Sequence, residues 1–160
     1  DVPGVDGYLL FAPHLGERSP TAHPEPAGGA QGPAPIKVHV RRLIGLVMLN
    51  AAGVQGLNDL DTLYFDLPFD LPIRAYSFRA VAGMAPDDYR AALTADAAPL
   101  LVVVGQKDEA FRADAYPAVV GLHRNGRAVV VEGETHDGVL VSRAAMDAIR
   151  EWTGVLRRSA

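Results

Sequence analysis

The stretch Pro99–Gly105, with the sequence PLLVVVG, decides how this chain folds. It is a continuous apolar run, rich in β-branched residues and bounded by proline and glycine, which predicts a strand buried on both faces. A second apolar run, Ala128–Val131, follows after a segment long enough for a helix. Strands of this kind, separated by helical segments, are typical of α/β proteins with a mostly parallel sheet.

Polar side chains follow both runs, at the point where each predicted strand ends. Asp108 lies just past the first run, and His136 lies just past the second. In parallel α/β sheets, ligands and chemistry gather outside the carboxyl ends of the strands. A carboxylate and an imidazole at two such ends are two members of a nucleophile–His–Asp arrangement. In the simpler interpretation, Asp108 caps the following helix and His136 is a loop residue.

Three other acids compete with Asp108 for the role of orienting acid. Glu109 and Glu134 each lie one or two residues from the expected place, and Asp114 is better used at the start of the following helix. Acids at a helix start complement the helix dipole.

The motif pair Gly105-x-x-Asp108 and Gly133-x-Thr135-His136 resembles the last third of an α/β-hydrolase. In that family the triad residues occur in the order Ser, then Asp or Glu, then His. The resemblance implies that Asp108 and His136 are catalytic. It also implies a fold: the C-terminal half of an α/β-hydrolase sheet, with mostly parallel strands and flanking helices, plus a lid or cap insertion.

The likeness covers nearly the whole chain and is greatest to serine hydrolases of the lysophospholipase and monoglyceride-lipase type. The segments Tyr76–Arg79 and Asp88–Arg90 also resemble that group. The resemblance therefore implies a serine-type hydrolase of carboxylic esters that acts on an ester with an apolar acyl group. The alternatives are a related enzyme that cleaves another acyl or carbon–carbon bond or transfers an acyl group, and a binding protein that kept the fold without the chemistry.

The sequence departs from this family at the nucleophile. An α/β-hydrolase needs a Gly-x-Ser-x-Gly turn between a strand and a helix. The chain has four serines, none flanked by glycines in that way, and no cysteine: Ser19, Ser77, Ser142 and Ser159. We therefore expect the nucleophile on an N-terminal half of the same hydrolase, which is either a second chain or lost.

The resemblance implies a division of the chain into three parts. Residues 1–14 contain the short apolar run Tyr8–Pro13, predicted to be a buried core strand. Residues 15–98 form a loop and lid or cap region with a connecting helix, and residues 99–160 carry the acid and the histidine. Within the last part we expect a helix over 111–122 and a final helix that starts at Ser142.

The middle part is predicted to hold short elements after a proline-rich loop. We expect that loop at 15–35, a short strand at 36–40, a helix over 41–53, an extended piece near 62–67, and a helix that starts at Pro86. The helix over 41–53 carries one apolar face, made of Leu43, Ile44, Val47, Met48 and Ala51. That face either packs in a core or lines an acyl-chain pocket as part of a lid.

The remaining polar candidates are weaker. His14 follows the first strand and is either a loop residue at the rim of the site or a residue that contacts substrate. His39 has no partner at metal-ligand spacing, and Asp66 and Asp70 are paired only in sequence. We therefore predict no metal and no cofactor.

Composition and charge indicate which classes of partner are not expected. A chain of 160 residues with 49% hydrophobic residues suits one domain with a substantial core. Its net charge of −4 gives no reason to expect nucleic acid, and no apolar run reaches the length of a membrane span. The absence of cysteine is compatible with a reducing compartment such as the cytoplasm.

Overall fold

A computed structural model of the chain describes residues 5–23, 36–65 and 73–159. The strands and helices in these ranges are β1 (Tyr8–Phe11), β2 (Ile36–Val38), α1 (Val40–Ala51), β3 (Asp61–Phe65), β4 (Ala75–Ser77), α2 (Phe78–Ala82), α3 (Tyr89–Thr94), β5 (Leu100–Gly105), α4 (Tyr116–Val120), β6 (Gly126–Val131) and α5 (Arg143–Ser159). They form two compact units, one of residues 1–24 and 85–160 and the other of residues 25–84.

The first unit is built on a three-stranded parallel sheet in the order β1-β5-β6. The central strand β5 is buried along its whole length, which confirms the prediction for Pro99–Gly105. Leu100 pairs with Tyr8 on one side and with Gly126 on the other. The first unit is therefore an α/β structure with a parallel sheet, as the sequence predicted.

Alternate residues of β5 face opposite sides of the sheet, so each side has its own core. Val102 and Val104 pack in a cluster with the fully buried Tyr116 of α4. Leu101 and Val103 pack in a second cluster, against which residues of α5 lie. Both faces of the sheet are therefore covered by apolar side chains, as a fully buried parallel strand requires.

Strand β1 is less buried than its apolar sequence predicts. Its residues are half-buried, and Leu10 is 37% exposed. The reason is its place in the sheet, because among the described strands β1 pairs with β5 alone. Its other edge carries backbone groups without a strand partner in the described part of the chain.

Helix starts in the first unit differ from prediction in detail. The helix expected from Pro86 begins at Tyr89, because the Asp88 carboxylate accepts from the amides of Arg90 and Ala91 and so caps it there. The helix expected over 111–122 is confined to α4 and a preceding single turn of 3₁₀ helix, with Pro117 in the first turn as expected. Helix α5 begins directly after Ser142, as predicted.

The second unit contains an antiparallel sheet in the order β2-β3-β4, with α1 and α2. The predicted apolar face of α1 does not pack in a core: Ile44, Val47 and Met48 are each more than half exposed, while Leu46 is buried instead. Packing in a core is thus the wrong interpretation of that face. The predicted segment 15–98 is divided between the two units, and its role as a lid remains a prediction.

None of the helices within the described ranges combines the length and the apolar character needed to cross a membrane.

Candidate functional site

Three strands of the first unit end at the same edge of the sheet, because β1, β5 and β6 are parallel. Their carboxyl ends lead into the loops that carry His14, Asp108 and His136. The structure therefore places all three residues at the edge where ligands bind in parallel α/β sheets.

Asp108 and His136 contact each other directly. The Nδ1 atom of His136 lies 2.8 Å from Oδ2 of Asp108. The Asp108 side chain is fully buried, whereas the imidazole is 33% exposed. In a neutral imidazole, an Nδ1–H that donates to a carboxylate leaves Nε2 as the nitrogen that can take a proton. The pair thus has the arrangement of a general base held by an orienting acid.

The second oxygen of Asp108 is also occupied. Oδ1 accepts hydrogen bonds from the backbone amides of Ala110 and Phe111, each at 2.8 Å. Asp108 therefore caps the turn that follows β5 with one oxygen and contacts the imidazole with the other. The two interpretations of this residue left open by the sequence are compatible, because each uses a different oxygen.

The His136 loop is fixed to the end of β5 by backbone contacts. The amide of Lys107 donates to the carbonyl of Glu134 at 2.8 Å, and the amide of Gly133 donates to the side chain of Gln106 at 3.1 Å. A Cβ atom at Gly105 would lie 2.5 Å from the carbonyl oxygens of Glu134 and Thr135. Glycine is therefore required at the end of β5 for the His136 loop to approach this closely.

Two of the rival acids, Glu109 and Asp114, have other partners. Glu109 accepts a hydrogen bond from the backbone amide of His136 at 3.1 Å, so it supports the loop and not the ring. Asp114 pairs with Arg112 at the surface, at 2.9 Å. Among these acids, Asp108 is the one for which the structure gives a contact to the imidazole.

An aromatic residue that the sequence did not single out lies beside the pair. The ring of Phe111 contacts the His136 ring edge to face, with 5.5 Å between centroids, and stacks on the His14 ring at the same distance. The Nε2 atom of His14 also lies 3.4 Å from Oε1 of Glu17. The sequence predicts that Phe111 starts a helix. The only sequence signal of its contact with the site is its position three residues after Asp108.

A buried tyrosine lies next to the acid. Burial, and secondly the negative charge of Asp108, raise the pKa of Tyr116 well above its usual range. Its hydroxyl therefore stays protonated and donates to the carbonyl of Pro13 at 2.8 Å. This hydrogen bond ties α4 to the loop after β1.

Three serines have described side chains, and each is buried or caps a helix. Ser19 is buried and lies 2.8 Å from the hydroxyl of Thr21, and Ser77 caps α2 by accepting from the amide of Ala80. Ser142 is buried directly before α5. The structure gives none of these three a hydrogen bond to His136, and the side chain of Ser159 lies outside the described part.

His39 does not join the site. His39 caps α1, because its side chain accepts from the amide of Arg42. Asp66 and Asp70 lie outside the described residues. Within the described ranges, no group of three or more His, Asp or Glu side chains is arranged to hold a metal ion.

Comparison with known proteins identifies the fold. No protein-family profile matches the chain, and no curated protein sequence does. A solved structure, described as a candidate non-heme bromoperoxidase, BpoC, from Mycobacterium tuberculosis H37Rv, is similar to 95% of this chain with a TM-score of 0.52 and 15% sequence identity. The chain spans 59% of that structure's length. That protein has an α/β-hydrolase fold, so the chain has the fold of part of an α/β-hydrolase.

Proposed function

We propose that this chain supplies the acid and the base of a serine-type carboxylic-ester hydrolase. The observation that carries the proposal is the 2.8 Å contact between a fully buried carboxylate and a partly exposed imidazole at the ends of two adjacent parallel strands. The fold alone permits many activities, so the function is inferred from Asp108 and His136.

In the proposed reaction, Nε2 of His136 accepts the proton of a serine hydroxyl as that serine attacks the ester carbonyl. It then returns the proton to the leaving alcohol. Asp108 holds the imidazole in the tautomer that exposes Nε2 and stabilises the imidazolium that forms. This stage leaves the acyl group bonded to the serine oxygen. In the second stage Nε2 accepts a proton from a water molecule as the water attacks that acyl-serine ester, and it returns the proton to the serine oxygen as the carboxylic acid leaves.

We place the nucleophile on a polypeptide segment outside residues 1–160, in an N-terminal half of the same hydrolase. Two observations support this partner: the chain spans 59% of the similar solved structure, and none of its serines stands in a Gly-x-Ser-x-Gly turn. A third is the edge of β1, where the exposed Leu10 helps to line a mostly apolar cavity of about 420 Å³. A further strand beside β1 would complete the sheet and cover that surface.

For the substrate we propose an ester with an apolar acyl group. The resemblance to lysophospholipases and monoglyceride lipases supports this class. The exposed apolar residues of α1, among them Ile44 and Met48, are available to contact an apolar ligand.

Hydrolysis of a p-nitrophenyl ester by the complete protein tests the proposal. Asp108→Asn is expected to lower kcat by about 10⁴-fold, since the amide favours the wrong tautomer of the histidine. His136→Ala should be at least as severe, because it removes the base. Asp114→Asn is the matched control: it makes the same chemical change at an exposed carboxylate whose partner is Arg112, and it should keep the parent rate. Parent rates in both Asp108→Asn and His136→Ala would contradict the assignment.

A second candidate is a binding protein with the same fold, favoured by the lack of a Gly-flanked serine in this sequence. The polypeptides present with this chain in the intact native protein distinguish the two functions. A Gly-x-Ser-x-Gly segment in the intact native protein, identified by mass spectrometry of every polypeptide present, supports the hydrolase. Its absence supports the binding protein.

A further inference from the structure

The backbone of Phe111 makes contacts with two loops. Its backbone amide donates to Oδ1 of Asp108 at 2.8 Å, and it forms an isolated antiparallel bridge with Ala22. The next amide, that of Arg112, donates to the carbonyl of Thr21 at 2.8 Å. The loop after β5 is thus joined to the loop after β1 at Phe111 and Arg112.

The segment that holds Phe111 is itself well ordered by buried polar contacts. The hydroxyls of Ser19 and Thr21 lie 2.8 Å apart and are both almost fully buried. The amide of Ala22 donates to the carbonyl of Ser19 at 3.0 Å, which closes a turn. Since buried hydroxyls require partners, these contacts favour one conformation of the segment that supports Phe111.

The ring of Phe111 contacts two imidazoles. It meets His136 edge to face, with an angle of 61° between ring planes, and it is nearly parallel to His14, at 20°. His14 therefore lies against a face of the Phe111 ring. Aromatic pairs with centroids 4.5–7 Å apart attract each other beyond their burial, and the geometry of the pair is specific.

We propose that Phe111 is a positioning residue, which holds Asp108 through its backbone and the His136 imidazole through its ring. The proposal rests on the proposed function of this pair. The imidazole is one-third exposed, and the hydrogen bond at Nδ1 fixes only one edge of the ring. The phenyl ring restricts rotation of the imidazole and keeps water from the Nδ1–Oδ2 hydrogen bond. His14 acts through Phe111, because its ring stacks on the phenyl ring.

The test is Phe111→Ala in the complete protein, with two readouts. The first is the low-field proton NMR signal of the His136 Nδ1–H. This signal should broaden or disappear, because water gains access to the hydrogen bond. The second is kinetics: kcat should fall about 10–100-fold with KM changed by less than about twofold, since misplacement of a catalytic group acts on the chemical step. Phe111→Tyr keeps the ring and should restore both readouts.

Two further variants separate positioning from general packing. Phe111→Leu keeps apolar volume without a planar ring, and it should give intermediate values if the loop remains folded. Phe65→Ala is the matched control, because Phe65 also makes an edge-to-face aromatic pair, with Tyr76 at 5.0 Å, in the unit of residues 25–84. It should change neither the NMR signal nor kcat.

The outcomes distinguish this proposal from the proposed function. A sharp, unshifted signal and a parent kcat in folded Phe111→Ala would overturn the positioning role, even if His136→Ala abolishes hydrolysis. A similar loss of kcat in Phe111→Tyr and Phe111→Ala would also overturn it. Loss of the signal in Phe111→Ala, with recovery in Phe111→Tyr, supports the positioning role even if the parent protein hydrolyses no ester, which would refute only the proposed function.

Discussion

Gly105→Ala is expected to disturb the candidate site without changing any polar side chain. Gly105 is the buried last residue of β5, and a Cβ atom there would lie 2.5 Å from the carbonyl oxygens of Glu134 and Thr135. Ordinary contact begins at 3.4 Å, so the backbone just before His136 must move by about 0.9 Å. If that shift reached the imidazole in full, the 2.8 Å contact with Asp108 would lengthen to about 3.7 Å, beyond the range of a hydrogen bond.

The same substitution should also lower stability. Overpacking of a close-packed interior typically costs about 1–3 kcal/mol, because neighbouring backbone and side chains must leave their preferred positions. In this case the neighbouring atoms belong to the backbone, which yields less easily than the end of a flexible side chain. We therefore expect the free energy of unfolding to fall by about 1–3 kcal/mol and kcat by about 10²-fold, the usual effect of a 1 Å misplacement.

Urea denaturation and ester hydrolysis by the complete protein measure these two effects. Gly45→Ala provides the control, since Gly45 lies within α1 and a Cβ there would meet nothing within 4 Å. Alanine in a helix interior is favoured over glycine, so this variant should gain about 0.5–1 kcal/mol. Equal stability and equal kcat in Gly105→Ala and the parent would refute the close approach between β5 and the His136 loop.

The remaining predictions concern the core and the pH dependence of stability. Leu101→Ala should cost about 2–5 kcal/mol in urea denaturation, because Leu101 is fully buried, whereas Leu140→Ala, at a half-exposed leucine, should stay within about 0.5 kcal/mol. The backbone amide of Ala98, and secondly the Tyr8 hydroxyl, lower the pKa of Asp96, so its carboxylate stabilises the fold above about pH 4 and this contribution is lost as the pH falls through the lowered pKa. Asp96→Asn should therefore show a smaller loss of stability below pH 4 than the parent; equal slopes would contradict this assignment.

The sheet of the first unit could be predicted from sequence because its strongest signal is local. Six consecutive buried residues in β5 require neighbours on both sides and apolar cover on both faces, so Leu100–Gly105 implied a central parallel strand. The ends of the parallel strands could then be predicted, and with them the proximity of Asp108 and His136, which lie just past those ends. The sequence could not predict the 2.8 Å contact between these two residues, because Glu109 and Glu134 lie within one or two residues of the place expected for the acid.

Other features depended on tertiary context. The apolar face of α1 has the period of a buried helix, yet Ile44 and Met48 are exposed, because periodicity shows that a face is apolar and not what covers it. The prediction that a helix starts at Phe111 was wrong for a related reason. The Asp108 carboxylate accepts the amides of the turn, and the bridge with Ala22 holds Phe111 extended. That bridge joins residues almost ninety positions apart, which no local pattern reveals.

Labelling of the intact protein with a fluorophosphonate probe tests the central claim most directly. Such a probe reacts with a serine that has a working base, and this chain is proposed to supply that base to a serine located elsewhere. The adduct should map by mass spectrometry to a polypeptide segment outside residues 1–160, and it should disappear in His136→Ala. An adduct on Ser19, Ser77, Ser142 or Ser159, or labelling that persists in His136→Ala, would contradict the account.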